Sequence, residues 1–308
     1  MAPRADSGSA AGTTRATPDG VGGRAPKRRI GPVVAAVLLA LAPPPRPSAT
    51  YATPPRNTAN LAADHPPFTL APAAGRHPID PAIYGMNFAD PALTRELGLT
   101  VRRWGGNATT RYNWEADTSN RGSDWFFETL PEDNPDRGRL PAGSAAARFV
   151  AEGRAAGVDT VLTVPLIGWT AKAGGRHCAF SVARYGPQQQ TDPWWPDCGN
   201  GRRADGRPVT GNDPTDASTP VDPAFVRAWV DHLVATFGDA AHGGVRYYNL
   251  DNEPMLWHET HRDVFPRGLD YDGLRDRTLA YAAAVKDADP TALTLGPAEW
   301  GWTGYFWS

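Results

Sequence analysis

Along the chain, short apolar runs of strand character alternate with longer stretches whose apolar positions recur at helical spacing. Ile83 to Phe88, Thr100 to Trp104, Thr160 to Leu166, Val245 to Leu250 and Ala292 to Leu295 read as strands, the third of them fully buried. Ala145 to Ala156 reads as a helix. So does Asp222 to Phe237, with Asp222 as N-cap, Pro223 at the first helical position and Gly238 at the end. A third helix runs from Tyr271 to Asp287, starting near Asp270 and closed by Asp289-Pro290. Strands alternating with helices imply βαβ units and a parallel sheet. A doubly wound sheet and a (β/α)₈ barrel both satisfy this.

Where the chemistry sits separates the two. Polar and aromatic residues follow directly on the strands: Asn87, Gly105-Gly106-Asn107, Trp169, Asp251-Asn252-Glu253 and Glu299-Trp300. A site drawn from several strand ends is the habit of the barrel. No Gly-x-Gly-x-x-Gly follows a strand to favour a dinucleotide fold. The expected fold class is therefore α/β, a (β/α)₈ TIM barrel. A whole barrel takes about 250 residues, and here it begins near Ile83 and shows five strands, so the sequence reads as truncated after about the fifth. Five strands of eight would leave backbone groups unpaired at the edges, an aggregation hazard.

Ahead of the barrel, residues 1–52 read as a signal peptide with a long basic first region. Lys27-Arg28-Arg29 precedes an apolar stretch from Ile30 to Ala42, and small residues follow around Ala49 and Ala52. That stretch is shorter than the roughly 20 residues a membrane span needs. Export to the extracellular space, with no membrane attachment after cleavage, is the expectation. Residues 53–80, rich in Pro and Ala, read as a linker, and 81–308 as the partial barrel. Without the first 52 residues, 24 basic residues stand against 31 acidic, a net charge of −7. All eleven Trp lie at or after Trp104. An acidic, Trp-rich chain lacks the basic face that nucleic acid requires and suits a neutral polymer; a monomer is expected. The two cysteines, Cys178 and Cys198, are most simply a disulfide closing an irregular, Trp- and Pro-rich loop in an exported protein.

The most informative segment is Tyr248-Asn249-Leu250-Asp251-Asn252-Glu253-Pro254. Pro fixes the backbone past the strand, so the carboxyl before it is rigidly placed. A glycosidase needs one carboxyl held protonated to donate to the leaving oxygen, and Glu253 is the candidate acid/base. Asn252 can hydrogen-bond a sugar 2-hydroxyl.

Arg103-Trp104-Gly105-Gly106-Asn107, Thr110-Arg111-Tyr112-Asn113-Trp114 and Asp124-Trp125-Phe126-Phe127 together resemble glycoside hydrolase family 44. Tyr185-Gly186-Pro187-Gln188-Gln189, Asn249 to Pro254 with Leu256-Trp257, and Trp300-Gly301-Trp302 extend the likeness, which runs from roughly Tyr84 to Ser308. The resemblance implies a retaining endo-β-1,4-glucanase acting on cellulose-type glucans or xyloglucan, built as a (β/α)₈ barrel with an added β-sandwich domain. The acid/base of that family falls on Glu253. Its nucleophile, a Glu ending the seventh strand, and its β-sandwich have no counterpart in these residues. Retaining chemistry needs two carboxyls about 5–5.5 Å apart, and Glu299, after the fifth strand, is a poor substitute. The 308-residue chain is thus expected to be inactive by itself.

Further candidates carry two readings each. Arg103 either holds the nucleophile ionised or forms a structural ion pair. Asn87 and Asn107 either meet sugar hydroxyls or shape turns. Trp114, Trp169, Trp194, Trp257 and Trp302 either stack on pyranose rings or pack in core and loops. His258 and His261 contact sugar or pack a loop; with Glu259 between them they do not make a His-Glu-x-x-His metal motif. No metal or cofactor is expected beyond a structural calcium, for which no twelve-residue loop pattern is present. A glucan-binding remnant without catalysis, or the same fold acting on mannan or xylan, are the alternatives.

Overall fold

The structure, a computed structural model, describes residues 71–306. The expected signal segment and linker residues 53–70 lie outside the described residues; residues 71–80 are exposed and carry no strand or helix. Among the described residues no helix is long and apolar enough to cross a membrane. In chain order the main elements are β1 (Gly85–Asn87), α1 (Pro91–Glu96), β2 (Val101–Trp104), β3 (Thr118–Asn120), β4 (Glu128–Pro131), α2 (Ala145–Ala156) and β5 (Asp159–Val164). There follow β6 (Trp169–Ala171), β7 (His177–Cys178), β8 (Ser218–Pro220), α3 (Pro223–Phe237), β9 (Tyr247–Leu250), α4 (Tyr271–Ala288) and β10 (Leu293–Leu295).

The five expected strands form one sheet in the order β1-β2-β5-β9-β10, every pair parallel. The order follows the chain without reversing, so the sheet has no switch point of the doubly wound kind. β1 is shorter than the sequence implies, because Pro81–Ile83 forms a 3-10 turn capped by Asp80. The helices begin where their caps dictate. The Asp222 carboxylate accepts from Ala224 N–H, Ser144 accepts from Ala147 N–H, and Asp270 accepts from Gly273 N–H.

Side chains alternate across a strand, and here even-numbered positions face the helices. Trp104, Leu162, Val164, Tyr248 and Leu250 are buried with Phe149 and Val150 of α2, Val226, Trp229 and Leu233 of α3, and Tyr281 and Val285 of α4. Arg102 shares this face and is fully buried. It donates to Ala89 O and Phe149 O and pairs with Glu152 at 3.0 Å. The odd positions, Arg103, Thr163 and Asn249 among them, face the other side, where Asn249 Nδ2 donates to Thr163 Oγ1 at 3.3 Å.

Two long excursions, from β2 to α2 and from β5 to α3, build small antiparallel sheets, β3-β4-β7 and β6-β8. They enclose a second core of Phe127, Ala179, Phe180, Val209 and Ala217. Cys178 and Cys198 are bonded there, with Cα atoms 5.2 Å apart.

Candidate active site

Parallel strands end on one side of a sheet, so their last residues share a rim. Glu253 stands three residues past β9, and its N–H donates to Ala298 O, three past β10, at 2.7 Å. Asn252 pairs with Ala298 as a parallel bridge. Pro254 starts a 3-10 turn directly after Glu253, whose own backbone is left-handed, φ 48° and ψ 51°. Asp251, directly after β9, and Phe88, directly after β1, are left-handed as well, with φ of 72° and 49°. Such conformations cost about 1–3 kcal/mol each in a non-glycine residue and collect at functional sites.

Asp251 holds the rim together. It is fully buried, and its carboxylate accepts from Thr110 Oγ1 and from Asn252 N–H, both at 2.7 Å, and from Leu166 N–H. One side chain thereby ties the segments following β2, β5 and β9. Burial pushes its carboxyl up to about 7, against the pull of these donors toward the ionised form.

Arg103 is the next member. Its Nη2 donates to Asn252 Oδ1 at 2.9 Å and its Nη1 to Asn87 Oδ1 at 3.3 Å. Asn87 Nδ2 in turn donates to Gly105 O at 3.0 Å. Because a guanidinium only donates, it fixes the orientation of both amides and leaves Asn252 Nδ2 as a donor directed elsewhere. Burial lowers the Arg103 guanidinium from its ordinary value, and the charge of Glu253 counters this. Glu299 stands four residues past β10, the strand paired with β9. Burial, and then the charge of Glu253, raise its carboxyl, and its Oε2 is buried with no hydrogen-bond partner.

The structure thus brings together Glu253, Asn252, Arg103 and Asn87. Asn107 stands apart, its Nδ2 3.5 Å from Arg121 O. Trp114 and Trp257 are corrected by the fold. Trp114 is 7% exposed and packs on Phe225 and His232. Trp257 is 1% exposed against Phe265, with its Nε1 donating to Asn252 O at 3.2 Å. Neither ring offers a face to a sugar, although Trp257 braces the peptide of Asn252. Trp169 is half-buried in β6, while Trp194, Trp302 and His258 are exposed. His261 is buried; burial and then the charge of Arg111 push its imidazole well below the ordinary value. Among the described residues no group of three or more His, Cys, Asp or Glu is placed to hold a metal ion. Sequence reading passed over Asp251 as a tie, although it stood in the motif; only the fold supplies its partners Thr110 and Leu166.

A carboxyl at a strand end beside an arginine and two oriented amides is compatible with one half of the carboxyl pair that glycoside hydrolysis uses. Residues 118–308 match glycoside hydrolase family 44, and the chain belongs to that family. It is similar to CelM2, a bifunctional glucanase-xylanase protein from a metagenome library: 47% identity, a TM-score of 0.72, and 76% of this chain covered against 45% of that one. A Paenibacillus polymyxa xyloglucanase solved with xyloglucan is 27% identical with a TM-score of 0.55, covering 74% of this chain and 43% of its own. Endoglucanase A of Paenibacillus lautus is 27% identical over 274 residues, 84% of this chain and 35% of the relative. The chain spans less than half the length of each of these relatives.

Proposed function

We propose that the chain is part of a secreted, retaining endo-β-1,4-glucanase of the cellulase and xyloglucanase kind, with its sheet forming five strands of a (β/α)₈ barrel and Glu253 as acid/base. The observation that carries this reading is the placement of Glu253 in a strained turn at the end of β9, with Arg103 orienting the Asn252 amide beside it. In the first step the Glu253 carboxyl gives its proton to the glycosidic oxygen as the leaving sugar departs. In the second it takes a proton from the water that releases the covalent intermediate. Asn252 Nδ2 is suited to donate to the 2-hydroxyl of the sugar being cut, a contact that strengthens in the transition state. The nucleophile is assigned to the seventh strand of the closed barrel, as the family resemblance implies, and Glu299 is a neighbour that bears on the acid. The disulfide agrees with an oxidising, extracellular setting.

The test uses carboxymethyl-cellulose, xyloglucan and xylan, with reducing-sugar release as the readout. Two proteins are compared: the chain itself, and a chimera continuing past Ser308 with the corresponding strands of the 47%-identical relative. The chimera is expected to be active and the chain alone inactive. Glu253→Gln in the chimera is expected to lower kcat by about 10²–10⁴-fold. A chimera that keeps its activity with Gln at 253 sinks the assignment, and activity in the chain alone would pass the nucleophile role to Glu299. Xylan enters because that relative is named a glucanase-xylanase; release from xylan alone would move the substrate class.

A further inference from the structure

Asp251 is fully buried and so cannot touch a substrate, yet it stands directly before Asn252 and two residues before Glu253. Among the described residues every hydrogen-bond partner of its carboxyl is a donor. Oδ1 accepts from Thr110 Oγ1 and from Asn252 N–H, each at 2.7 Å, and Oδ2 accepts from Leu166 N–H. An amide of the same shape would turn an NH₂ group toward one of these donors. The position therefore calls for a carboxylate and not for its isostere. Thr110 is buried as completely, in the 3-10 turn Asn107–Arg111 that follows β2, and it spends its hydroxyl proton on Asp251.

The backbone of Asp251 is held from the other side. Its N–H donates to Asn249 O at 3.0 Å, and its O accepts from Asn249 Nδ2 at 2.7 Å and from Ala298 N–H at 3.2 Å. Gly296, directly after β10, has φ of 101°, and a Cβ there would stand 2.8 Å from Asn249 Oδ1. The end of β10 is thus pressed against the Asn249 amide. Asn252 lies between two left-handed residues, Asp251 and Glu253. The direction in which the Glu253 side chain leaves the chain is set by those two conformations, which non-glycine residues keep only where the surroundings impose them.

We propose that Asp251 and Thr110, with Asn249 on the backbone side, are positioning residues for proton transfer by Glu253. They fix the turn from which Asn252 and Glu253 project and touch no substrate themselves. The inference rests on the reading of Glu253 as acid/base and adds to it the side chains that aim the carboxyl. Proton donation requires hydrogen-bond reach between the carboxyl and the glycosidic oxygen. A misplacement of about 1 Å can cost about 10²-fold in rate. A leaving group that departs as a stable anion needs no proton, and its departure is indifferent to that aim.

The experiment measures kcat/KM of the chimera on two substrates, cellohexaose and a dinitrophenyl β-cellobioside. The sugar leaving group of the first needs a proton, and the phenolate of the second does not. Thr110→Val removes the hydroxyl and Asp251→Asn the second acceptor oxygen. Each should lower kcat/KM on cellohexaose about 10–100-fold. On the dinitrophenyl glycoside each should stay within about threefold of the parent. Thr110→Ser, which keeps the hydroxyl, should restore cellohexaose hydrolysis. Near-UV circular dichroism checks the fold, and if Asp251→Asn does not fold, the Thr110 pair decides. Equal losses on both substrates would mean a general disturbance of the site and overturn the proposal, as would parent-like hydrolysis by Thr110→Val. Glu253→Gln separates this outcome from the underlying reading. It should show the same substrate contrast, more strongly. If it does not, the acid assignment falls; if it does and Thr110→Val does not, the positioning role alone falls.

Discussion

At the scale of single residues, the site depends on how closely Arg103 is allowed to approach the backbone. A Cβ added at Gly105 would stand 2.3 Å from the Arg103 guanidinium carbon and 2.5 Å from its Nε. The obstruction is the far end of a flexible side chain, so the fold can absorb an alanine there by letting Arg103 swing away. That swing breaks the donation to Asn252 Oδ1 and frees the amide to turn. Gly105→Ala is therefore expected to cost at most about 1 kcal/mol in urea unfolding. In the chimera it should lower kcat on xyloglucan at least about tenfold. Unaltered kcat would mean that the orientation of Asn252 does not depend on Arg103. The same residue scale explains why Asp251 tolerates burial: its oxygens meet hydroxyl and peptide donors from three strand ends, and an unmet buried acceptor would cost about 1–3 kcal/mol.

At the scale of elements, the layer carrying the stacked Trp125 and Trp194 is built from strands of two to four residues, too short to be held by their own ladders. The cross-link from β7 to Cys198 takes over part of that task. A loop closed at a separation of twenty residues removes roughly 3 kcal/mol of unfolded-chain entropy. Replacing both cysteines with Ser should lower the unfolding free energy in urea by a matching amount and leave the five-stranded sheet intact in far-UV spectra. A loss below about 0.5 kcal/mol would show the layer to be held by its core of Phe127 and Phe180 instead. This division also governs what could be read from the sequence. The five parallel strands and the helices α2, α3 and α4 were legible because apolar period and cap residues such as Asp222-Pro223 are local signals. β3, β4 and β6 to β8 were not, since runs of two to four residues carry too little period and their pairing is decided by distant partners, as when Glu128 meets Cys178. In the site, Glu253, Asn252 and Arg103 were legible from the motif and the strand ends. Trp114 and Trp257 could not be told from sugar-facing residues, because an indole has the same composition on either side of a sheet.

At the scale of the whole molecule, buried groups that titrate out of their ordinary range set the response to pH. Glu128 is fully buried in β4; burial first, and then Asp192 beside it, raise its carboxyl from 4.5 to about 8. Arg176, 3.8 Å from Glu128 and 3.7 Å from Asp192, only partly offsets this. Asp251 is raised to about 7 by burial. For both groups the folded state binds a proton that the unfolded state has already lost. Stability therefore falls as pH rises from the ordinary value to the folded one, at most about 1.4 kcal/mol per pH unit for each group. His261 and His232 act in the opposite sense. Burial lowers both from 6.5, so below that pH the unfolded chain takes up protons that the folded one refuses, and stability rises with pH. The two pairs oppose each other between about pH 4.5 and 6.5, and above 6.5 only the carboxyls act. Thermal unfolding should accordingly show a broad plateau up to about pH 6.5 and a decline toward pH 8. Glu128→Gln imitates the protonated acid and removes part of the decline. Its melting temperature should match or fall below the parent's at pH 5 and exceed it at pH 8. Parallel melting curves for parent and variant across that range would mean that Glu128 is already ionised in the fold, with Arg176 and not a shared proton balancing the pair.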